Sequence, residues 1–172
     1  MSGIIRRIDE LGRIVIPKEI RKVLDLKEGS CVNIQSNNEG ILLSKYMPLK
    51  RLNNYIHNLA LVLSDNLKIS VLITDDKKVI DSQGVGQEFN HKPLSDYFLS
   101  KFNVLKTYYN SEVFNIVQEQ NSSFCGLSII PIKDNLVTIG SIVLVEKVSN
   151  KQISDNAVFV AKTMASYISS LI

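Results

Sequence analysis

Gly3-Ile4-Ile5-Arg6-Arg7-Ile8-Asp9-Glu10-Leu11-Gly12-Arg13-Ile14-Val15-Ile16-Pro17-Lys18-Glu19-Ile20-Arg21-Lys22-Val23-Leu24 is the stretch on which the fold of this chain turns. Ile4 to Ile8 and Arg13 to Ile16 are rich in β-branched residues, and Asp9-Glu10-Leu11-Gly12 between them is turn-forming. Pro17 ends the second run and sets φ for a helix start. Lys18 to Leu24 reads as a short helix with Ile20, Val23 and Leu24 on one face and Arg21 and Lys22 on the other. Lys27-Glu28-Gly29-Ser30 is a turn. Cys31 to Gln35 and Ile41 to Tyr46 are strands joined at Asn37-Asn38-Glu39-Gly40, where Asn and Gly tolerate positive φ. The order is strand, strand, short helix, strand, strand. A unit of about 46 residues buries too little surface to fold alone without disulfides or metal and usually needs a partner chain, so a dimer is expected.

These residues closely resemble the swapped-hairpin DNA-binding domain of the AbrB transition-state regulators. The pairing of Gly-Ile-Ile-Arg-Arg-Ile-Asp-Glu-Leu-Gly-Arg with Ile-Pro-Lys-Glu-Ile-Arg is most similar to the two-domain, sporulation-type members of that family. The resemblance covers about a quarter of the chain. It implies that two chains interleave their hairpins into one β-barrel, and that the dimer binds double-stranded DNA and activates some genes while repressing others. By the same resemblance the DNA contacts fall on Arg6, Arg13, Arg21 and Lys22, with Arg7 and Lys18 as further candidates. The family commonly carries Arg-Arg where this chain has Arg21-Lys22. Lysine keeps the attraction for phosphate but loses the bidentate fork. The family's lack of a rigid consensus implies readout through DNA shape and flexibility.

The residues point to the same cations. Phosphate neutralisation needs several positive charges, and base reading in the major groove favours arginine forks. Arg6 and Arg7 lie on opposite faces of the first strand. Arg13 follows a glycine turn, projects freely, and has no acidic partner at adjacent positions. Arg21 and Lys22 flank the short helix. The chain of 172 residues has a net charge of +3. Residues 1–52 hold 10 Lys/Arg against 6 Asp/Glu, and the remainder 10 against 11. That asymmetry fits equally a polyanion partner for the N-terminal end and a solvated charged face.

Pro48 marks a boundary, which divides the chain into 1–47, the DNA-binding domain; 48–66, linker and first helix; and 67–172, the remaining domain. Leu49, Leu52, Ile56, Leu59 and Leu63 recur at helical steps up to about Asn66. Ile69 to Thr74 and Val79 to Ser82 are strands around an Asp75-Asp76-Lys77-Lys78 turn. Leu94 to Tyr108 is expected to be helical, with Leu94, Phe98, Phe102 and Leu105 on one face. Strands Cys125 to Ile132 and Val137 to Val145 turn at Asp134-Asn135. Asp155 to Leu171 closes the chain as a helix with Ala157, Ala161, Met164, Ile168 and Leu171 in one stripe. The pattern is α+β with an antiparallel sheet, and it resembles a GAF domain, a fold that often holds a small ligand. The apolar stripes of the first and last helices also suit contact with another subunit, which leads to an expected homotetramer.

Nothing in the inventory points to an enzyme. His57 is expected on a helix surface and His91 in a loop. Gly84-Val85-Gly86-Gln87-Glu88-Phe89 lacks the third glycine of a dinucleotide site and reads as a flexible loop. Asp75-Asp76 reads as a turn rather than a cation site. Cys31 and Cys125 lie in apolar runs, have no metal-like spacing, and are expected to be buried free thiols in a reducing cytoplasm. No cofactor is expected beyond an unidentified small-molecule ligand of the GAF-like domain. No leader or membrane span is read, Asn121-Ser122-Ser123 is a chance sequon, and the expected location is cytoplasmic, in the forespore by resemblance. The alternatives are an AbrB-fold antitoxin, whose C-terminal tail is usually short and disordered, and a small-molecule carrier or sensor.

Overall fold

The computed structural model describes residues 3–28, 30–102, 106–109, 115–119, 124, 126–147 and 152–172, with the backbone alone for 106–109. Leu105, Cys125 and Asn121-Ser122-Ser123, singled out above, lie outside these, and Cys31, expected to be buried, is exposed. The architecture is mixed α/β with antiparallel sheets, and the chain divides into two compact units, Met1–Met47 and Pro48–Ile172.

In the first unit the helix α1 spans Lys18–Val23. Pro17 precedes it with φ −56°, and the Pro17 carbonyl accepts the first helical hydrogen bond from Arg21 N at 2.9 Å. The helix ends because Asp25 turns left-handed at φ 50°, so that Leu26 N reaches back to Arg21 O at 2.8 Å. Strands β1 (Val32–Asn37) and β2 (Gly40–Lys45) form an antiparallel hairpin closed by the Asn37–Gly40 pair. The Asn37 side chain accepts Glu39 N at 3.0 Å and fixes its turn. Ile4 to Ile8 and Arg13 to Ile16 do not form the expected strands within one chain. A strand needs a neighbouring strand for its N–H and C=O groups, and among the described residues one chain supplies no such strand to these runs; Arg13 alone is bonded, through the turn at Asp9.

The second unit begins with a 3-10 turn, Pro48–Leu52, that leads into α2 (Asn53–Leu67). Its sheet is antiparallel, in the order β4-β3-β7-β6-β5. The strands are β3 (Ser70–Asp75), β4 (Val79–Gln83), β5 (Lys106–Tyr109), β6 (Gly126–Asp134) and β7 (Val137–Glu146). A short helix α3 (Asp96–Lys101) precedes β5, and α4 (Asp155–Ser170) closes the chain. Ser95 caps α3 by accepting Phe98 N at 3.0 Å, and Ser154 caps α4 by accepting Ala157 N at 3.2 Å.

The expected helix over Leu94 to Tyr108 is corrected here. Only Asp96–Lys101 is helical, and Lys106–Tyr109 pairs with β6 from Lys106↔Ile129 to Tyr109↔Gly126. Thr and Tyr in that segment favour the pleated backbone. Pro131 sits inside β6 but beyond the last β5 pair. Its missing N–H therefore costs no bond to β5.

Layers form on both faces of the sheet. Helices α2 and α4 cover one face, α2 against β3 and β4 and α4 against β6 and β7. Ile56, Ala60 and Leu63 of α2 and Ala157, Ala161, Ala165 and Ile168 of α4 are buried there. The alanine spacing allows α4 close to the strands. On the other face Leu72, Leu127, Ile129, Val143 and Val145 meet Phe89, Leu94, Phe98, Phe102, Ile116 and Phe124 in one buried cluster. Val85 and Phe89 anchor the Gly84–Phe89 segment in that cluster, and Lys147 Nζ donates to Val85 O at 3.1 Å. The segment is a loop, as expected, that ends in a 3-10 turn at Gln87–Phe89. Among the described residues no helix is long and apolar enough to cross a membrane.

Candidate nucleic-acid interface

The six candidate cations all belong to the first unit and all are exposed. They stand on three segments. Arg6 and Arg7 lie in the run before the first turn, Arg13 at its end, and Lys18, Arg21 and Lys22 on α1. On α1 the spacing of three and four residues stacks them along one helical stripe.

The turn is built around Asp9. Gly12 adopts φ 76°, a conformation that glycine enters without a side-chain penalty. Asp9 N donates to Arg13 O at 3.0 Å and Gly12 N to Asp9 O at 2.9 Å. The Asp9 carboxylate accepts Leu11 N at 3.0 Å and Arg13 N at 2.8 Å on Oδ1. Its Oδ2 meets Arg13 Nε at 2.9 Å. The Arg13 backbone N–H, first among the causes, holds the Asp9 carboxyl below the usual carboxylate range. Arg13 therefore has an acidic partner, contrary to the expectation from its sequence neighbours. The turn folds back so that a residue four positions earlier arrives beside its guanidinium. Among the described residues, Arg13 is the one member of the six with an ion pair.

The surroundings of these cations are apolar and uncovered. Pro17 is the one buried residue among the described members of the first unit. Ile5 is 93% exposed, Leu11 74%, Val15 76% and Val23 84%. Ile8, Ile34, Ile41 and Leu42 are exposed as well.

In the second unit, Leu52, Tyr55, Leu59, Val62, Tyr167 and Leu171 line an open apolar groove of about 230 Å³ between α2 and α4. His57 of α2 lies on the helix surface as expected, yet its Nδ1 stands 2.7 Å from Asp81 Oδ2 on β4. Asp81 Oδ1 accepts Gln83 Nε2 at 3.0 Å. Sequence reasoning missed this contact, because its partners are 24 positions apart. Asp75 forms the expected turn, its Oδ1 accepting both Lys77 N and Lys78 N at 2.7 Å. Among the described residues no cluster of His, Cys, Asp and Glu has the makings of a metal site.

Two family models match the chain. One, described as antidote-toxin recognition MazE, bacterial antitoxin, covers residues 5–51. The other, described as stage V sporulation protein T C-terminal, transcription factor, covers residues 51–171. The chain is 33% identical to stage V sporulation protein T of Bacillus subtilis (strain 168), over 95% of this chain and 97% of that protein. It is 37% identical to the transition state regulatory protein AbrB of the same organism, over 50% of this chain and 81% of that protein. Among solved structures, the GAF domain of an Acinetobacter phosphoenolpyruvate-protein phosphotransferase aligns with a TM-score of 0.60 at 14% identity, covering 72% of this chain and 89% of that one. A type II free methionine-R-sulfoxide reductase from Thermoplasma acidophilum aligns at 0.57 and 10% identity, covering 72% and 94%. At such identities the likeness is one of fold alone.

Proposed function

The chain belongs to the stage V sporulation protein T family of AbrB-type transcription regulators, and we propose that it binds double-stranded DNA through a dimer of its N-terminal unit, with the GAF-like domain modulating that binding. One observation carries the reading. The unit that presents Arg6, Arg7, Arg13, Lys18, Arg21 and Lys22 fully buries none of its isoleucines, leucines and valines and leaves most of them exposed. Burying one such side chain fully is worth about 1.5–3 kcal/mol. A second copy that interleaves its own Ile4–Ile8 and Arg13–Ile16 runs supplies both the missing strand partners and the missing core. Two-fold symmetry then repeats the cations on one assembly, which suits a duplex.

Arg6, Arg13 and Arg21 have the forked geometry for base edges or phosphates. Lys18 and Lys22 act as point charges on phosphate, and Arg7 adds a further phosphate contact. The groove between α2 and α4 supplies a second interface, which takes the dimer to a homotetramer. A small-molecule ligand of the GAF-like domain acts on transcription only if it prefers one arrangement of the paired N-terminal units over another. The place of action is the cytoplasm, on sporulation genes.

The match of residues 5–51 to an antitoxin model favours one second reading, neutralisation of a toxin. The folded unit that follows differs from an antitoxin tail, and co-purification of a small toxin would restore that reading. Fluorescence anisotropy at several salt concentrations tests the main one. Arg13→Ala should weaken duplex binding strongly, a lost base contact costing roughly 1–3 kcal/mol per site. Lys22→Ala should weaken it mildly and almost independently of sequence. A folded Arg13→Ala chain that binds like the parent overturns the interface.

A further inference from the structure

We propose that Asp9 is a positioning residue for DNA recognition: it grips the Arg13 guanidinium by Nε and leaves both Nη groups directed at a DNA acceptor. This rests on the reading of the N-terminal unit as the DNA-binding unit. The carboxylate is itself fixed, because Oδ1 accepts the Leu11 and Arg13 backbone N–H groups at 3.0 and 2.8 Å. Its other oxygen meets Arg13 Nε at 2.9 Å. One carboxylate thus ties the backbone and the side-chain end of the same arginine to one rigid turn. A guanidinium has five N–H donors. With Nε occupied, the four on the Nη groups remain, and their shared edge matches guanine O6 and N7 or two phosphate oxygens.

The stability of the pair does not explain it. The Arg13 and Asp9 side chains are 71% and 45% exposed, and exposed ion pairs contribute little to folding. What the pair removes is the freedom of a long side chain, so less is lost when the fork closes on its target. The opposite reading is also physical. Asp9 is ionised at neutral pH, and a carboxylate near a polyanion repels it. A bystander Asp9 weakens DNA binding, whereas a positioning Asp9 strengthens it. The two readings differ in sign.

The test compares full-length Asp9→Asn, Arg13→Ala and the double variant. The probes are a duplex enriched from random-sequence DNA by the parent protein and a scrambled duplex of equal composition. Asparagine keeps an oxygen for the two backbone N–H groups but no longer offers a carboxylate to Nε. Asp9→Asn should weaken binding to the enriched duplex about fivefold to tenfold and to the scrambled one less than about twofold. In the Arg13→Ala background it should cause no further loss. Unchanged or tighter binding by Asp9→Asn overturns the proposal, as does an equal loss in both backgrounds. If Arg13→Ala itself leaves affinity intact, the DNA-binding role of Arg13 falls instead, and Asp9 falls with it. Circular dichroism monitors folding. If Asp9→Asn unfolds, the Arg13 Nε–H resonance of the parent chain decides. A signal protected from solvent exchange supports the grip, and a freely exchanging one overturns it.

Discussion

Leu49 lies directly over Gly140, and the absence of a side chain on that glycine is what admits it. A Cβ built on Gly140 would overlap both Leu49 Cδ1 and the Thr74 carbonyl oxygen. Leu49 is 2% exposed, so the 3-10 turn that begins the second unit is locked onto β7. Gly140→Ala should therefore destabilise the chain by about 1–3 kcal/mol through overpacking. Leu49→Ala should cost about 2–5 kcal/mol by leaving a cavity. Denaturant unfolding measures both. A Gly140→Ala chain as stable as the parent means that both Leu49 and the Thr74 carbonyl shift without cost.

How much of this was legible in the sequence follows from how local each interaction is. The Asn37–Gly40 turn is a property of a few consecutive residues and stands where the pattern placed it; of the expected α4 stripe, Ala157, Ala161 and Ile168 are buried, Met164 is half-buried and Leu171 is exposed, with Ala165 buried instead. Leu94, Phe98 and Phe102 are buried as their spacing implied. The same spacing predicts helix as far as Tyr108, yet Lys106–Tyr109 is the edge strand of a sheet whose other strands lie far along the chain. The Asp9–Arg13 pair depends on a turn, and His57–Asp81 on the packing of α2 over β4. Neither can be read without the fold. Ile4 to Ile8 and Arg13 to Ile16 carry a β-branched pattern that does not become strands in one chain.

Tyr55, Val62 and Tyr167 are each at least half exposed beside the α2–α4 groove. Exposed positions tolerate substitution with effects on folding usually within about 0.5 kcal/mol. A charge placed in an apolar subunit contact is costly. Val62→Glu and Tyr167→Glu should leave each chain folded by circular dichroism and reduce the proposed tetramer to a dimer. Light scattering over a wide concentration range checks this. A parent chain that is strictly dimeric, or variants that stay tetrameric, excludes the groove as the second interface.

Burial of the Asp75 carboxyl pushes its pKa up from the ordinary value, against the pull of the Lys78 and Lys77 backbone N–H groups. The sign of its effect on stability follows. Between the unfolded and the raised folded pKa, the folded chain holds more protons, so stability falls as pH rises through that window. Below the unfolded pKa the residue makes no pH-dependent contribution. Asp75→Asn retains an oxygen for the two N–H groups and has no charge to desolvate. It should match the parent in acid and be at least as stable at neutral pH. Thermal melts across that range test the point, and a variant less stable than the parent at neutral pH would show that the carboxylate charge itself holds the turn.

Cutting the chain at the unit boundary should separate DNA binding from the rest, and the position of the cut matters. The charge contrast read from residues 1–52 includes Lys50 and Arg51, which belong to the second unit. Divided after Met47, the first unit holds 8 Lys/Arg against 6 Asp/Glu and the second 12 against 11. Net charge then hardly distinguishes them, so the prediction rests on arrangement. Six of the first unit's cations fall within Arg6–Lys22, whereas those of the second are spread over 125 residues. Residues 1–47 should sediment as a dimer, because Pro17 is the one buried residue among those described in that unit. They should also bind duplex DNA with a steep salt dependence. Residues 48–172 should fold, since they carry both buried faces of the sheet and keep Leu49 on Gly140. They should show no measurable affinity for duplex DNA in moderate salt. A folded monomer of 1–47 at micromolar concentration would remove the argument for interleaved hairpins. DNA binding by 48–172 would instead move part of the interface to Lys50 and Arg51, which Lys50→Ala and Arg51→Ala in that fragment would then locate.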